Sequence, residues 1–160
     1  MAHIPWREIK SWRCVRCGNC CTQGLKVNLR TYEYSKLLNF WPESIQIGWP
    51  GDPFLKKINR RCVFYNKYGL CSLQQFNLKP FACKVWPFVV YLEPKSNDSD
   101  GARFYFENNQ YFVYLNPCAS SLCHGLDRGN PKELPYIINE ILNVYKNPLR
   151  NQHYTSSKNF

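Results

Sequence analysis

Cys14-Val15-Arg16-Cys17-Gly18-Asn19-Cys20-Cys21 places four cysteines within eight positions. Cys20 and Cys21 are neighbours, so their Cα atoms lie about 3.8 Å apart. A disulfide between them would be strained, because a bridge favours Cα atoms roughly 5.5 Å apart. Thiolates held this close repel one another unless a cation lies between them. A metal ion or an iron–sulfur cluster is the economical explanation. Gly18 lets the backbone turn sharply inside the run.

Working outward, Cys62, Cys71, Cys83 and Cys123 offer four further sulfurs, and Cys118 is the odd residue of nine. Two four-cysteine centres are thereby supplied by Cys14, Cys17, Cys20, Cys21, Cys62, Cys71, Cys83 and Cys123. A Cys-x2-Cys-x2-Cys run is similar to the three-ligand loop of a four-iron (4Fe-4S) cluster, and a Cys-x2-Cys pair also suits one side of a zinc site. Adjacent side chains point apart in extended backbone and diverge by about 100° in a helix. Cys20 and Cys21 are therefore expected to serve two different centres at a shared loop. The competing reading is a buried thiol core with some disulfides. Cys118 is read as a buried or unligated thiol, and His3, His124 and His153 lack a ligand pattern.

The chain has 160 residues, of which 44% are hydrophobic, enough for one domain over residues 1–148 followed by a polar tail, 149–160. No apolar run is long enough to span a bilayer, so no membrane partner is expected. The first residues carry no secretory pattern, and the expected compartment is the cytoplasm, where cysteine clusters more often hold metals than disulfides.

The net charge is +10. Two four-thiolate centres at about −2 each would reduce it to about +6. No acidic residue lies between Asp52 and Glu93. Arg7, Lys10, Arg13, Arg16, Lys56, Lys57, Arg60 and Arg61 are candidate phosphate contacts, with Trp6, Trp12, Tyr65 and Tyr68 as candidate stacking residues. That reading makes RNA, a ribonucleoprotein such as the ribosome, or a protein partner the expected contact. Equally, these cations can offset thiolate charge, and for any single aromatic the core reading is favoured.

Around the cysteines the pattern reads as follows. Leu25, Val27 and Leu29 alternate as a short strand, and Thr31 can cap a helix to about Phe40. Gly48–Pro53 is a loop, and Leu73–Leu78 a short helix. Strands are expected over about 85–92, 103–107 and 111–115, the last two joined at Asn108-Asn109-Gln110. Asn130-Pro131 opens a helix from about 131 to 147 with Leu134, Ile137, Ile138, Ile141, Leu142 and Tyr145 inward. The fold class is α+β: a small, irregular, metal-stapled domain with a short antiparallel sheet and a C-terminal amphipathic helix.

The whole pattern resembles the CxxCxxCC cysteine-cluster family of zinc- or iron-chelating domain proteins. Cys14, Cys17, Cys20 and Cys21 match its opening. Cys62-Val-Phe-Tyr65, Cys71-Ser-Leu73 and Lys79-Pro80-Phe-Ala-Cys83-Lys84-Val-Trp-Pro87-Phe88 match its later segments, and Cys123-His124-Gly125 with Gly129 matches its close. Lys79 and Lys84 stand where the family has arginine, His124 stands where it has proline, and Cys118 is additional. The resemblance implies metal binding, and for some members an iron–sulfur oxidoreductase role.

No nucleophile–base pair, P-loop or dinucleotide fingerprint is present, and paired carboxylates are not evident. Full cysteine ligation points to a structural or electron-transfer role, because catalytic zinc usually keeps a position open. The reading is of a binding module without turnover. The alternatives are a basic RNA-binding subunit and an iron–sulfur redox protein.

Overall fold

The computed structural model describes residues 2–97, 99–148 and 152–155. Its strands are β1 (Ile4–Pro5), β2 (Ile45–Ile47), β3 (Pro53–Leu55), β4 (Lys57–Ile58), β5 (Arg61–Cys62), β6 (Phe88–Tyr91), β7 (Arg103–Phe106) and β8 (Asn109–Leu115). Its α-helices are α1 (Asn19–Thr22), α2 (Thr31–Phe40), α3 (Phe81–Lys84), α4 (Ser99–Ala102), α5 (Ala119–Leu122) and α6 (Leu134–Lys146). Mixed helices and short antiparallel sheets make this an α+β protein, as the sequence pattern predicts. The described residues fall into two compact units, Gly18–Lys84 and the remainder of the chain on either side of it.

The flanking segments form a sheet unit. Aromatic and β-branched residues fill β8, which favours extended backbone. Five consecutive residues, Tyr111–Leu115, are buried. Strand β8 is central: Phe112 faces Tyr91 of β6 and Arg103 of β7, and Leu115 faces Phe88 of β6 and Ile4 of β1, all antiparallel. The β7–β8 turn uses Glu107 and Asn108, with φ of 48° and 63°, one residue earlier than the sequence suggests. Helix α6 follows a 3-10 turn at Pro131–Glu133, where Asn130 Oδ1 accepts the Lys132 amide at 3.0 Å. Its Leu134, Ile137, Ile138, Ile141 and Leu142 are buried, while Tyr136 and Asn139 face solvent. The N-terminal segment joins this unit through β1 and a 3-10 turn at Trp6–Glu8. Trp6 and Trp12 are both buried there, with Trp12 set edge-on to Phe88 at 5.9 Å.

Most of the expected tail, including 149–151 and 156–160, lies outside the described residues. The part described is held by Glu140 of α6. This buried carboxylate accepts the backbone N–H groups of His153, of Tyr154 at 2.8 Å and of Thr155 at 2.7 Å.

Gly18–Lys84 is the loop-rich unit. Val27, Leu29, Leu37, Leu55, Phe64 and Leu73 form its core, and Cys21, Cys71 and Cys83 pack against it beside the buried Cys62. Val27 and Leu29 point inward as their alternation requires. They join β3 only through the bonds Leu55 N–H to Val27 O at 3.0 Å and Leu29 N–H to Pro53 O at 3.0 Å, not as a full strand. Helix α2 includes Thr31 rather than being capped by it. Glu33 accepts the Arg30 amide at 2.8 Å and caps the helix instead. Between Leu73 and Leu78 only a 3-10 turn forms, Gln74–Phe76.

Candidate metal centre

In the loop-rich unit the backbone turns at Gly18 with φ of 75°, and α1 follows immediately. A Cβ at Gly18 would lie 2.3 Å from the Tyr65 hydroxyl, so glycine is required by contact as well as by conformation. The Cys21 amide bonds Gly18 O at 2.9 Å, which winds Cys20 and Cys21 into one helical turn. Their side chains do not diverge. The two sulfurs lie 3.9 Å apart, closer than the divergence expected of adjacent side chains. A one-turn helix anchored at a left-handed glycine leaves both sulfurs room to rotate toward the same side.

Three further thiols come from the rest of this unit. The β4–β5 hairpin reverses at Asn59 and Arg60, with φ of 50° and 68°, and carries Cys62. Arg60 ties the hairpin to the segment after α1, its carbonyl accepting the Gly24 amide at 2.9 Å and its guanidinium donating to Gln23 O at 3.1 Å. Cys71 pairs with Tyr65 across a tight loop, inside which Asn66 Oδ1 accepts the amides of Tyr68 and Leu70. Cys83 sits on α3, whose Phe81 amide is held by Glu33 at 2.6 Å.

Electrostatics confirm one neighbourhood. A hydrogen bond from Cys21 is the largest influence on Cys20, opposed by burial and aided by Lys79 and Lys57, and brings its thiol down to about 6. Cys21 is pushed up by that same hydrogen bond, by burial and by the nearby Cys20, Cys83 and Cys62. Burial raises Cys83, with Lys79 opposing and Cys71, Cys20 and Cys62 adding to the rise. Burial also raises Cys71, against the pull of Lys79. Lys79 thus acts on Cys20, Cys71 and Cys83, Lys57 on Cys20, and Cys62 on Cys21, Cys71 and Cys83.

The sheet unit holds a second group. Burial raises the Cys123 thiol, a hydrogen bond from Trp12 Nε1 at 3.3 Å lowers it, and Cys17 and Cys14 raise it further. Residues 11–13 lie tightly against 125–129. The Arg13 amide bonds Gly125 O at 3.1 Å, the Asp127 amide bonds Ser11 O at 3.0 Å, and Trp12 bridges to Leu126. A Cβ on Gly125 would fall 2.1 Å from Arg13 O, and one on Gly129 would fall 2.3 Å from Trp12 O. Only glycine permits this approach, which brings the first cysteine pair to Cys123. Cys118 precedes α5, with its amide on Asn116 Oδ1 at 3.0 Å.

The donor chemistry fits zinc or iron. Every candidate is a thiol, the ligand both metals take in closed sites. Tetrahedral zinc with Zn–S near 2.3 Å separates its sulfurs by about 3.8 Å, close to the 3.9 Å between Cys20 and Cys21. Lys57 Nζ is buried with no hydrogen-bond partner, a donor suited to a thiolate. No disulfide joins the nine cysteines. Among the described residues no three His, Cys, Asp or Glu side chains stand close enough together to hold a metal ion; Cys20 and Cys21 approach as a pair, and Cys21, Cys71 and Cys83 pack against the core that holds Cys62.

The candidate phosphate contacts divide. Arg7 is committed to the fold, donating from Nη1 to Asp100 O and Arg103 O at 2.7 Å each. The Lys57 ammonium is buried beside Cys20 rather than exposed to a phosphate. Trp6 and Trp12 are core, not stacking platforms. Lys10, Arg13, Arg16, Lys56, Arg60 and Arg61 are exposed. Tyr65 is half-buried beneath Arg61, 4.7 Å from its ring centre, and Tyr68 is 74% exposed. Two partners of the thiols were not legible as such: the indole of Trp12 and the ammonium of Lys57. Gly125 and Gly129 were visible as glycines shortly after Cys123, but their packing role was not.

An all-thiol donor set on an irregular α+β scaffold defines a cysteine-rich metal-binding protein. Among protein families, residues 13–119 match CxxCxxCC, described as "Putative zinc- or iron-chelating domain", and the chain belongs to that family. Cys123 lies beyond the matched span, and its thiol is raised in part by Cys17 and Cys14. No curated protein and no solved structure matches the chain.

Proposed function

We propose that this protein carries two cysteine-bound zinc or iron–sulfur centres and works as a binding module without turnover. One centre draws four ligands from Cys20, Cys21, Cys62, Cys71 and Cys83. The other is built on Cys14, Cys17 and Cys123. The observation that supports this most is the 3.9 Å approach of the Cys20 and Cys21 sulfurs, with Cys21, Cys71 and Cys83 packed against the core that holds Cys62, while Cys17 and Cys14 act on Cys123 in the sheet unit. The bound metal supplies charge that lets buried thiolates lie together, and binding energy at such sites is folding energy. Lys57 and Lys79 would hold part of the negative charge of the first centre, and Trp12 would donate to a Cys123 thiolate of the second. Metal analysis of anaerobically purified protein tests this. Two equivalents of zinc, or two clusters' worth of iron and sulfide, are expected; a metal-free protein that folds normally would refute it.

A contact with RNA is the second reading, favoured by the charge of the loop-rich unit. Gly18–Lys84 holds ten basic residues against the three acids Glu33, Glu43 and Asp52. Arg60, Arg61 and Lys67 flank Cys62 with Tyr68 exposed beside them, an arrangement suited to backbone phosphates and a stacked base. Affinity for single-stranded RNA that falls steeply with salt supports this reading. Affinity that is flat with salt, or absent, removes it.

A further inference from the structure

Helix α2 ends in an aromatic platform on the surface of the loop-rich unit. Phe40 closes the helix, and the Trp41 amide bonds Leu37 O at 2.7 Å. Ser44 holds the Trp41 carbonyl through its amide at 3.0 Å and its hydroxyl at 2.6 Å. The Trp41 ring stands edge-on to Phe64 of the core, 5.7 Å away. Phe40 and Phe76 flank that indole at 5.7 Å and 5.5 Å, tilted by 50° and 48°. Phe76 ends the 3-10 turn Gln74–Phe76, which follows the fully buried Leu73. The rings are thus anchored from the core, yet Phe40 is 64% exposed and Phe76 53% exposed. Two adjoining aromatic rings left in water cost hydrophobic free energy that a partner recovers. Anchored rings also lose little freedom when a ligand stacks on them.

The surrounding charge selects the partner. Lys36 is exposed one turn before Phe40, on the same face of α2. Lys79 follows Phe76 by three residues. The 3-10 turn after Trp41 carries one acid, Glu43. The unit as a whole has ten basic residues against three acids. A second copy of the chain would bring the same positive excess to the contact. A polyanion with flat apolar faces matches both the rings and the charge, and single-stranded RNA is such a molecule. We propose that Phe40 and Phe76, held on either side of Trp41, each stack a base of single-stranded RNA, with Lys36 and Lys79 meeting neighbouring phosphates. The inference rests on the RNA reading above and adds base contacts on rings other than Tyr68.

The experiment uses the full chain and two fluorescein-labelled oligomers of equal length, oligoadenylate and the same backbone without bases, followed by anisotropy across a salt series. Affinity for both should fall with salt, and oligoadenylate should bind about tenfold or more tightly. Phe40→Ala and Phe76→Ala should each weaken oligoadenylate about five- to tenfold, with the salt slope and the affinity for the abasic oligomer unchanged. That unchanged affinity also reports that each variant is folded. Phe76→Tyr keeps a ring and should bind as the native chain does. Equal affinity of the native chain for the two oligomers overturns the proposal, as do alanine variants that bind oligoadenylate as tightly as the native chain. A steep salt dependence then leaves the RNA reading standing. Absence of salt-dependent binding to either oligomer removes both. Sedimentation of the same samples covers self-association: a dimer that Phe40→Ala disrupts, with no preference for bases, assigns the face to a second copy and overturns the proposal.

Discussion

Cys20 and Cys21 show how one backbone turn changes what neighbouring residues can do. With their sulfurs 3.9 Å apart, they fall to one centre in the proposed function. Cys20→Ser and Cys21→Ser are therefore expected to remove the same metal equivalent, and Cys123→Ser the other. Metal content of the three purified variants checks this, and loss of different equivalents by the first two would contradict the grouping. The thiols also set the acid–base behaviour of the metal-free chain. Cys20 is lowered from 9.0 to about 6, so its ionisation adds stability as pH rises from about 6 to 9 and loses it as pH falls through that window. Cys21, Cys71, Cys83 and Cys123 are raised, so they favour the neutral folded state, and the stability they give is lost as pH climbs above 9. The metal-free protein should be most stable in the mildly alkaline range, as denaturant midpoints across pH will show. A midpoint that does not change from pH 6 to 10 would contradict this. Gly125→Ala belongs to the same scale. Its Cβ would meet the carbonyl of Arg13, so a loss of about 1–3 kcal/mol is expected, read as a lower denaturation midpoint with loss of the Cys123-dependent metal.

At the scale of elements, Glu33 does the work of several bonds. It is buried, it accepts from the amides of Arg30 and Phe81 and from the Tyr32 hydroxyl, and it thereby fastens α2 to the start of α3, which carries Cys83. Glu33→Ala removes the acceptor of two part-buried amides, and a cost of about 1–3 kcal/mol is expected. Glu33→Gln keeps an acceptor and should lose less; equal losses by urea denaturation would argue against the hydrogen-bond account. Glu140 plays a similar part on α6, where it collects the amides of His153, Tyr154 and Thr155. Glu140→Ala should make the peptide after α6 a quicker target for limited proteolysis, with the helix itself retained by circular dichroism.

At the scale of the whole molecule, the two units draw on different sources of stability. The sheet unit has a sheet, α6 and a well-filled aromatic core, whereas Gly18–Lys84 has short elements around a core that includes its own cysteines. Chelation is expected to cost amide protection chiefly in Gly18–Lys84, while α6 keeps its slow exchange. Hydrogen–deuterium exchange with and without a strong chelator reads this directly, and unchanged protection around Cys62 and Cys71 would mean that metal does not hold the unit together. No helix among the described residues is long and apolar enough to cross a membrane.

Several features were legible in the residues because they depend only on local chemistry. Sulfur spacing pointed to a metal, the period of Leu134–Tyr145 marked α6, and short runs rich in aromatics on either side of Asn108-Asn109-Gln110 marked β7 and β8. The family signature was readable for the same reason. Other features required distant parts of the chain to meet. The alternation of Val27 and Leu29 marked an inward face, yet too few partners lie alongside to extend it into a strand. Trp6 and Trp12 could be read as stacking residues or, as is favoured for any single aromatic, as core, and packing against the sheet made them core. The grouping of Cys14 and Cys17 with Cys123, and of Cys20 and Cys21 with Cys62, Cys71 and Cys83, was decided by tertiary structure alone. Spacing counts the donors available, but only the folded path of the backbone, turned at Gly18 and drawn close at Gly125 and Gly129, determines which sulfurs can reach one another.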